Sequence, residues 1–250
     1  MAVIKPFRAI RPKPKFVEKV STLPYDVFSN REARDTVIKN QMSFLKIVRP
    51  ETTFPRNVDM YSSKVYERAK ALIKDNINRG IFVEEERESY YIYREIMNGR
   101  TQTGLVASFS VDDYRNNVIK KHEYTRPEKE NDRTRHIDIC SAQTGLVFLA
   151  FQATLQTKQL LEKATHNEPL FDFVRKIMYD SWYGRLMIRK KSRKSQKCLH
   201  RLTVCILQTE ITGVPALLPY VIKEENSIRI ILETKTSIIS WQLHSRMISC

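Results

Sequence analysis

YYIYREIMNGRTQTGLVASFSV, the stretch from Tyr90 to Val111, decides the fold class. Two β-rich runs, Tyr90 to Met97 and Thr103 to Val111, flank the dipeptide Asn98-Gly99. Both residues of that dipeptide tolerate the positive φ of a tight hairpin turn, so the spacing predicts an antiparallel pair of strands.

Upstream the pattern turns helical. Val65, Ala69, Leu72, Ile73 and Ile77 fall on one helical face, with Ser62 or Ser63 as N-cap and Gly80 just past the end, which predicts a helix over Val65 to Arg79. Ser29-Asn-Arg-Glu32 is a capping box and predicts a helix to about Asn40. The apolar run SFLKIV, Ser43 to Val48, suits a short strand before Pro50. Downstream, Asp112 or Asp113 can cap a helix through Val118 and Ile119, and Thr125-Arg-Pro-Glu128 reads as a second capping box opening a helix toward Ile139. LVFLAF, Leu146 to Phe151, suits a buried strand. Together these elements predict a mixed α/β (α+β) chain up to about Phe173, without internal repeats.

The densest polar stretch is IKKHEYTRPEKENDRTRH, Ile119 to His136. At helical spacing Lys129, Asp132, Arg133 and His136 share a face. Lys and Arg suit phosphate oxygens, and Glu or Asp can bind Mg²⁺ or take a proton from a hydroxyl, the groups that phosphoryl transfer needs. A solvated helix carrying i,i+4 ion pairs fits the same residues. The chain has no GxxxxGK[ST] loop, nucleophile elbow, HExxH helix or GxGxxG turn, which excludes a P-loop NTPase among others.

Composition adds a charge signal. The 250 residues hold 43 Lys and Arg against 28 Asp and Glu, a net +15, which points first to a polyanion such as nucleic acid. The excess is uneven: Met178 to Cys250 carries 12 basic and 5 acidic residues, leaving 31 and 23 for Met1 to Ile177. Both tryptophans and three of the four cysteines also fall in that last part. The cysteines (Cys140, Cys198, Cys205, Cys250) show neither metal-ligand pairing nor a disulfide framework. No run approaches the roughly 18 apolar residues of a membrane helix, and the first residues lack the apolar core of a signal peptide, so a cytoplasmic protein is expected.

PFRAIRPKP (Pro6 to Pro14), LPYDV (Leu23 to Val27), YIYR with TGLVAS, KKHEYTRPEKENDRTRH and NEPLFDF (Asn167 to Phe173) occur in the order seen in the bacterial and archaeal domain-of-unknown-function family numbered 1015. The chain resembles that family from Met1 to about Phe173, departing from it at Leu146, where the family usually has Pro. Family members continue further and carry an Asp-Gly-His-His-Arg type motif similar to one in ParB-like kinases of free L-serine. Residues 1–173 are therefore expected to form the ParB-like N-terminal part of a larger domain.

Residues 174–250 resemble nothing in the family as they stand. Shifted by one base, the codon junctions from Leu207 to Gly213 admit Ala-Asp-Gly-Asn-His-Arg, the missing motif with Asn for its first His. Seventeen consecutive junctions from Ile231 to Ile248 admit a family-like strand region in the same frame, two of them forced: Trp241 with Gln242 encodes only Ala, and Met247 with Ile248 only Asp. The tail is thus expected to be an out-of-frame translation, non-native or poorly ordered. The competing expectation is a basic tail that binds nucleic acid in a salt-sensitive way.

The resemblance implies a phosphotransferase that uses ATP or ADP, with Mg²⁺, to phosphorylate free L-serine. It implies Glu123 as base, His122 and Asp132 as supports, and Glu123 and Asp132 as metal ligands. Lys120, Lys121, Arg126, Arg133 and His136 would meet phosphate or carboxylate. Without the Asp-Gly-x-His-Arg half of the site the chain is expected to be inactive. The alternative is a ParB-like nucleotide- or nucleic-acid-binding module without catalysis; a membrane partner is not expected.

Overall fold

The computed structural model describes residues 2–97, 99–120, 126–176, 181–189, 204–205 and 229–231. In chain order they form β1 (Ile4–Lys5), β2 (Ala9–Pro12), α1 (Val17–Val20), α2 (Asn30–Lys39), α3 (Leu45–Val48), α4 (Ser63–Asn78), β3 (Phe82–Glu84), β4 (Tyr90–Met97), β5 (Arg100–Val106), β6 (Ser108–Phe109), α5 (Val111–Arg115), α6 (Pro127–Cys140), β7 (Ala142–Gln143), β8 (Ala150–Phe151), α7 (Leu155–Thr165), β9 (Phe171–Lys176), β10 (Ser181–Arg189), β11 (Val204–Cys205) and β12 (Arg229–Ile231). The class is mixed α/β, as expected. One four-stranded sheet runs β5-β4-β10-β9, entirely antiparallel. A second runs β3-β2-β12-β7, with β12 parallel to both of its neighbours. Beyond residue 176 the described residues are those of β10, β11 and β12, so the expectation of a poorly ordered tail otherwise falls outside the described residues.

The hairpin forms where the dipeptide marked it. Met97 pairs with Arg100, leaving a two-residue loop in which Gly99 has φ +73. Asn98 lies outside the described residues. The return strand starts at Arg100, three residues earlier than its β-rich composition suggested, because the turn sets the register directly. It stops at Val106, and Ser108–Phe109 leaves to pair with β1. Both faces of the hairpin are covered. Tyr91, Tyr93 and Val106 pack with Phe7, Ala9, Val17 and Phe171, whereas Ile92 and Leu105 pack against Leu161 and Ala164 of α7. Each fully buried aliphatic or aromatic side chain here contributes about 1.5–3 kcal/mol through surface removed from water.

The helical side holds the larger core, where Val20, Ala33, Val37, Phe44, Leu45, Ile47, Val48, Ala69, Leu72 and Ile73 meet. Both halves of the Ser29–Glu32 capping box form: the Glu32 N–H donates to Ser29 Oγ at 3.3 Å and Glu32 Oε2 accepts from the Ser29 N–H at 2.9 Å. Hydrogen bonding with the Ser29 side chain first, and with its backbone N–H second, holds the Glu32 carboxyl below its ordinary value. Helix α4 ends in a Schellman arrangement: Gly80 N–H donates to Ile77 O, Ile81 N–H to Asn76 O, and Gly80 adopts φ +65. Ser62 occupies the N-cap position as read, but its hydroxyl bonds Asp59 O instead of the helix.

Three local expectations are corrected. SFLKIV is not a strand: Leu45–Val48 is one helical turn, and Phe44, Leu45, Ile47 and Val48 are all buried. A run this short buries every apolar residue in either conformation, so its periodicity does not distinguish them. The cap of α5 is Ser110, whose Oγ accepts from the Asp113 N–H at 3.3 Å; Asp113 spends its carboxylate on the Val3 N–H at 2.6 Å, and the helix ends at Arg115. In LVFLAF only Ala150–Phe151 is strand.

Candidate functional site

Helix α6 begins immediately after the charged segment 121–125. Pro127 occupies its first turn, where a missing N–H costs nothing. The same Pro disfavours helical backbone at the residue before it, so Arg126 is extended (ψ 126) and becomes the N-cap itself. The expected capping box from Thr125 needs Arg126 inside the helix, and the cap has moved one residue on. Lys121, His122, Glu123 and Thr125 lie outside the described residues. Lys120 and Arg126, which bracket them, are both exposed.

The face shared by Asp132 and His136 turns inward. With Ile137 and Cys140 these residues are buried against α4, while Glu128, Asn131, Arg135 and Asp138 face water and Lys129 is half-buried. Asp132 Oδ1 accepts from the Tyr66 hydroxyl at 2.8 Å. Its Oδ2 accepts from Arg133 Nε at 3.0 Å and Nη2 at 2.7 Å. Burial is the largest single influence on the Asp132 carboxyl and opposes ionisation, but the Arg133 guanidinium and the Tyr66 hydroxyl together outweigh it and hold the group below its ordinary value. Arg133 lies 5.1 Å over the Tyr25 ring, and Arg135 lies 5.1 Å over the Tyr66 ring.

His136 is 1% exposed, and its Nε2 lies 2.9 Å from Ile47 O. A carbonyl only accepts, so Nε2 carries the proton and Nδ1 is left as a bare acceptor, without a hydrogen-bond partner among the described residues. Burial, with the charge of Arg133 adding to it, pushes the imidazole down to about 4, so it is neutral at physiological pH. Cys140, one turn further, is a buried free thiol pushed up to about 12 by the same burial.

Of the site residues read from the sequence, the fold brings Asp132, Arg133 and His136 together and joins them to Tyr66, Tyr25 and Ile47. In this arrangement Asp132, Arg133 and His136 are committed to one another and to the protein, and they anchor α6 to α4 and α3. Both Asp132 oxygens are occupied, and among the described residues no group of three or more His, Cys, Asp and Glu is arranged to hold a metal ion. The described residues therefore do not fit Mg²⁺ at Asp132.

Tyr66 carries no separate signal in the sequence, because it stands one position from Val65 on an amphipathic helix and looks like core. Tyr25 lies within LPYDV, whose recurrence in the family was its only signal. A second convergence follows the same rule: Tyr91 of YIYR accepts from the Ala9 N–H at 3.1 Å and donates to Phe7 O at 3.1 Å. Arg11 of PFRAIRP pairs with Glu85 and lies 5.6 Å over the Phe171 ring of NEPLFDF. Glu95, 5% exposed, is the other buried carboxylate among the described residues, and it accepts from the Tyr93 hydroxyl at 3.1 Å.

A family model described as protein of unknown function (DUF1015) matches residues 4–181. Comparison with curated proteins and with solved structures finds no match. Among the described residues no helix is long and apolar enough to cross a membrane.

Proposed function

Because this chain belongs to the DUF1015 family, we propose that the intact family protein is a ParB-like cytoplasmic phosphotransferase that moves a phosphoryl group from ATP or ADP to free L-serine, and that this chain is an inactive form of it. The supporting observation is the anchoring of α6: Asp132, Arg133 and His136 are locked to Tyr66, Tyr25 and Ile47, which fixes the point where the charged segment 121–125 rejoins the fold. Catalysis by positioning requires such a fixed frame. In this reading Glu123 takes the hydroxyl proton of serine, and His122 supports it. Lys120, Lys121 and Arg126 meet phosphate or the serine carboxylate. Asp132, Arg133 and His136 act through position alone.

The family model matches to residue 181, beyond the expected limit at about Phe173; the tail after that match is, in this reading, the family sequence translated out of frame. Genomic DNA from codon 170 onward decides that part: codons that do not encode the family sequence in the shifted frame end it. Activity is decided by incubating the frame-corrected protein and the present chain with L-serine and ATP or ADP and measuring phosphoserine. Product from the corrected protein and none from this chain is expected. Absence of product from both, with retention of DNA by the corrected protein, replaces the enzyme with a nucleic-acid-binding module.

A further inference from the structure

About half a turn around α4 from Tyr66 lies a second charged region. At about 100° per residue, Arg68, Leu72, Asp75 and Arg79 form one stripe, and the short helix α3 stands across from it. Between them is a cleft of about 340 Å³ whose lining includes Gln41, Ser43, Lys46, Arg68, Asn76 and Arg79. Three cations and a single carboxylate, Asp75, line this space.

The one carboxylate is already engaged, since Arg79 Nη1 pairs with Asp75 Oδ2 at 3.1 Å. Lys46 Nζ donates to Gln41 O and to Gln41 Oε1, both at 3.1 Å, which are uncharged acceptors. Burial first, then the charges of Arg68 and Arg79, hold the Lys46 ammonium below its ordinary value, with Asp75 offsetting only in part. The cleft therefore concentrates a surplus of two positive charges in a concave space, where the field of like charges is least screened by water. Amide groups of Gln41 and Asn76 stand on the same lining as neutral hydrogen-bonding partners.

We propose that the cleft between α3 and α4 binds a small phosphorylated anion, with Lys46 and Arg68 as its principal cationic contacts and Arg79 as a third. A multiply charged phosphate fits better than a carboxylate because two unneutralised cations face one space. A small ligand fits better than a polymer because the cationic groups line a cleft. The site uses none of the residues assigned to phosphoryl transfer and stands independently of that reading.

The probe is inorganic pyrophosphate, titrated into the full chain by calorimetry at low salt, with chloride at equal ionic strength as control. Saturable one-site binding is expected, weakened at least tenfold in Arg68→Glu and in Lys46→Gln and unchanged in Lys64→Gln at the start of α4. Arg68 is exposed, so Arg68→Glu is expected to keep the wild-type circular dichroism spectrum and to separate lost binding from lost folding even where Lys46→Gln unfolds. No saturable heat, or equal binding by folded Arg68→Glu, overturns the proposal. So does duplex DNA retained by the wild type and lost in Arg68→Glu when pyrophosphate gives no signal, since that makes the surface a polymer site.

Discussion

The charged cluster where α6 meets α4 and the cleft between α3 and α4 differ in burial and, above all, in the matching of charge. Around Asp132 the carboxylate, the guanidinium of Arg133 and the hydroxyl of Tyr66 satisfy one another inside the protein. Around Lys46 three cations face one carboxylate, and the ammonium rests on amide oxygens. A matched buried cluster holds two helices in register and has little left to offer a ligand. A surplus at the wall of a cleft does little for the fold and is available to an anion. Residue type does not separate the two; the completeness of pairing does.

The largest test of that contrast is Asp132→Ala. It leaves Arg133 without its counter-ion and Tyr66 with an unpaired buried hydroxyl, and is expected to destabilise the fold by about 3–5 kcal/mol in urea unfolding. A loss below about 1 kcal/mol would remove the claim that this pair anchors α6.

Acid comes next. His136 is held at about 4 in the fold against 6.5 when unfolded, so between those values the unfolded chain binds the extra proton. Stability is therefore flat above about pH 6.5 and falls as pH drops toward 4, by on the order of 3 kcal/mol in all. Asp132, lowered from 3.8, adds a further loss as pH falls through its folded value. Unfolding of His136→Gln, measured from neutral pH down to below 3.8, is expected to lose the first of these slopes and keep the second; an unchanged first slope would assign it to another group.

Tyr66→Phe deletes one hydrogen bond to a charged acceptor and keeps the ring, so a cost of about 1.5–3 kcal/mol is expected, smaller than that of Asp132→Ala. The smallest effect belongs to the other region. Arg68→Ala removes an exposed cation from a like-charged group and is expected to leave stability within about 0.5 kcal/mol of wild type. A large loss there would show that the cleft is matched after all, and the contrast would fail.

The parts of the fold legible in the sequence were those whose signal is local. Ser29 and Glu32 cap α2 through bonds three residues apart, Gly80 closes α4, and a two-residue loop at Asn98-Gly99 sets the hairpin register. SFLKIV misled because all of its apolar residues are buried, and the Thr125 box because Pro127 constrains Arg126 more strongly than a Thr cap attracts the helix start. In the candidate site, helical spacing was enough to place Asp132, Arg133 and His136 side by side on α6. It carried no information on which way that face turns.

By itself, then, the sequence determined the class of the fold, its well-capped helices, its hairpin and its family, because each depends on neighbours within a few residues or on several motifs kept in order. Tertiary structure alone decided that the polar face of α6 points inward onto Tyr66, Tyr25 and Ile47, and that Lys46 of α3 stands opposite Arg68 of α4 and Arg79 at its C-terminal end. The physical reason is that satisfaction of a buried polar group is a property of pairs: Tyr66 and Asp132 are 66 residues apart and His136 and Ile47 are 89 apart, and only packing brings them within hydrogen-bond reach.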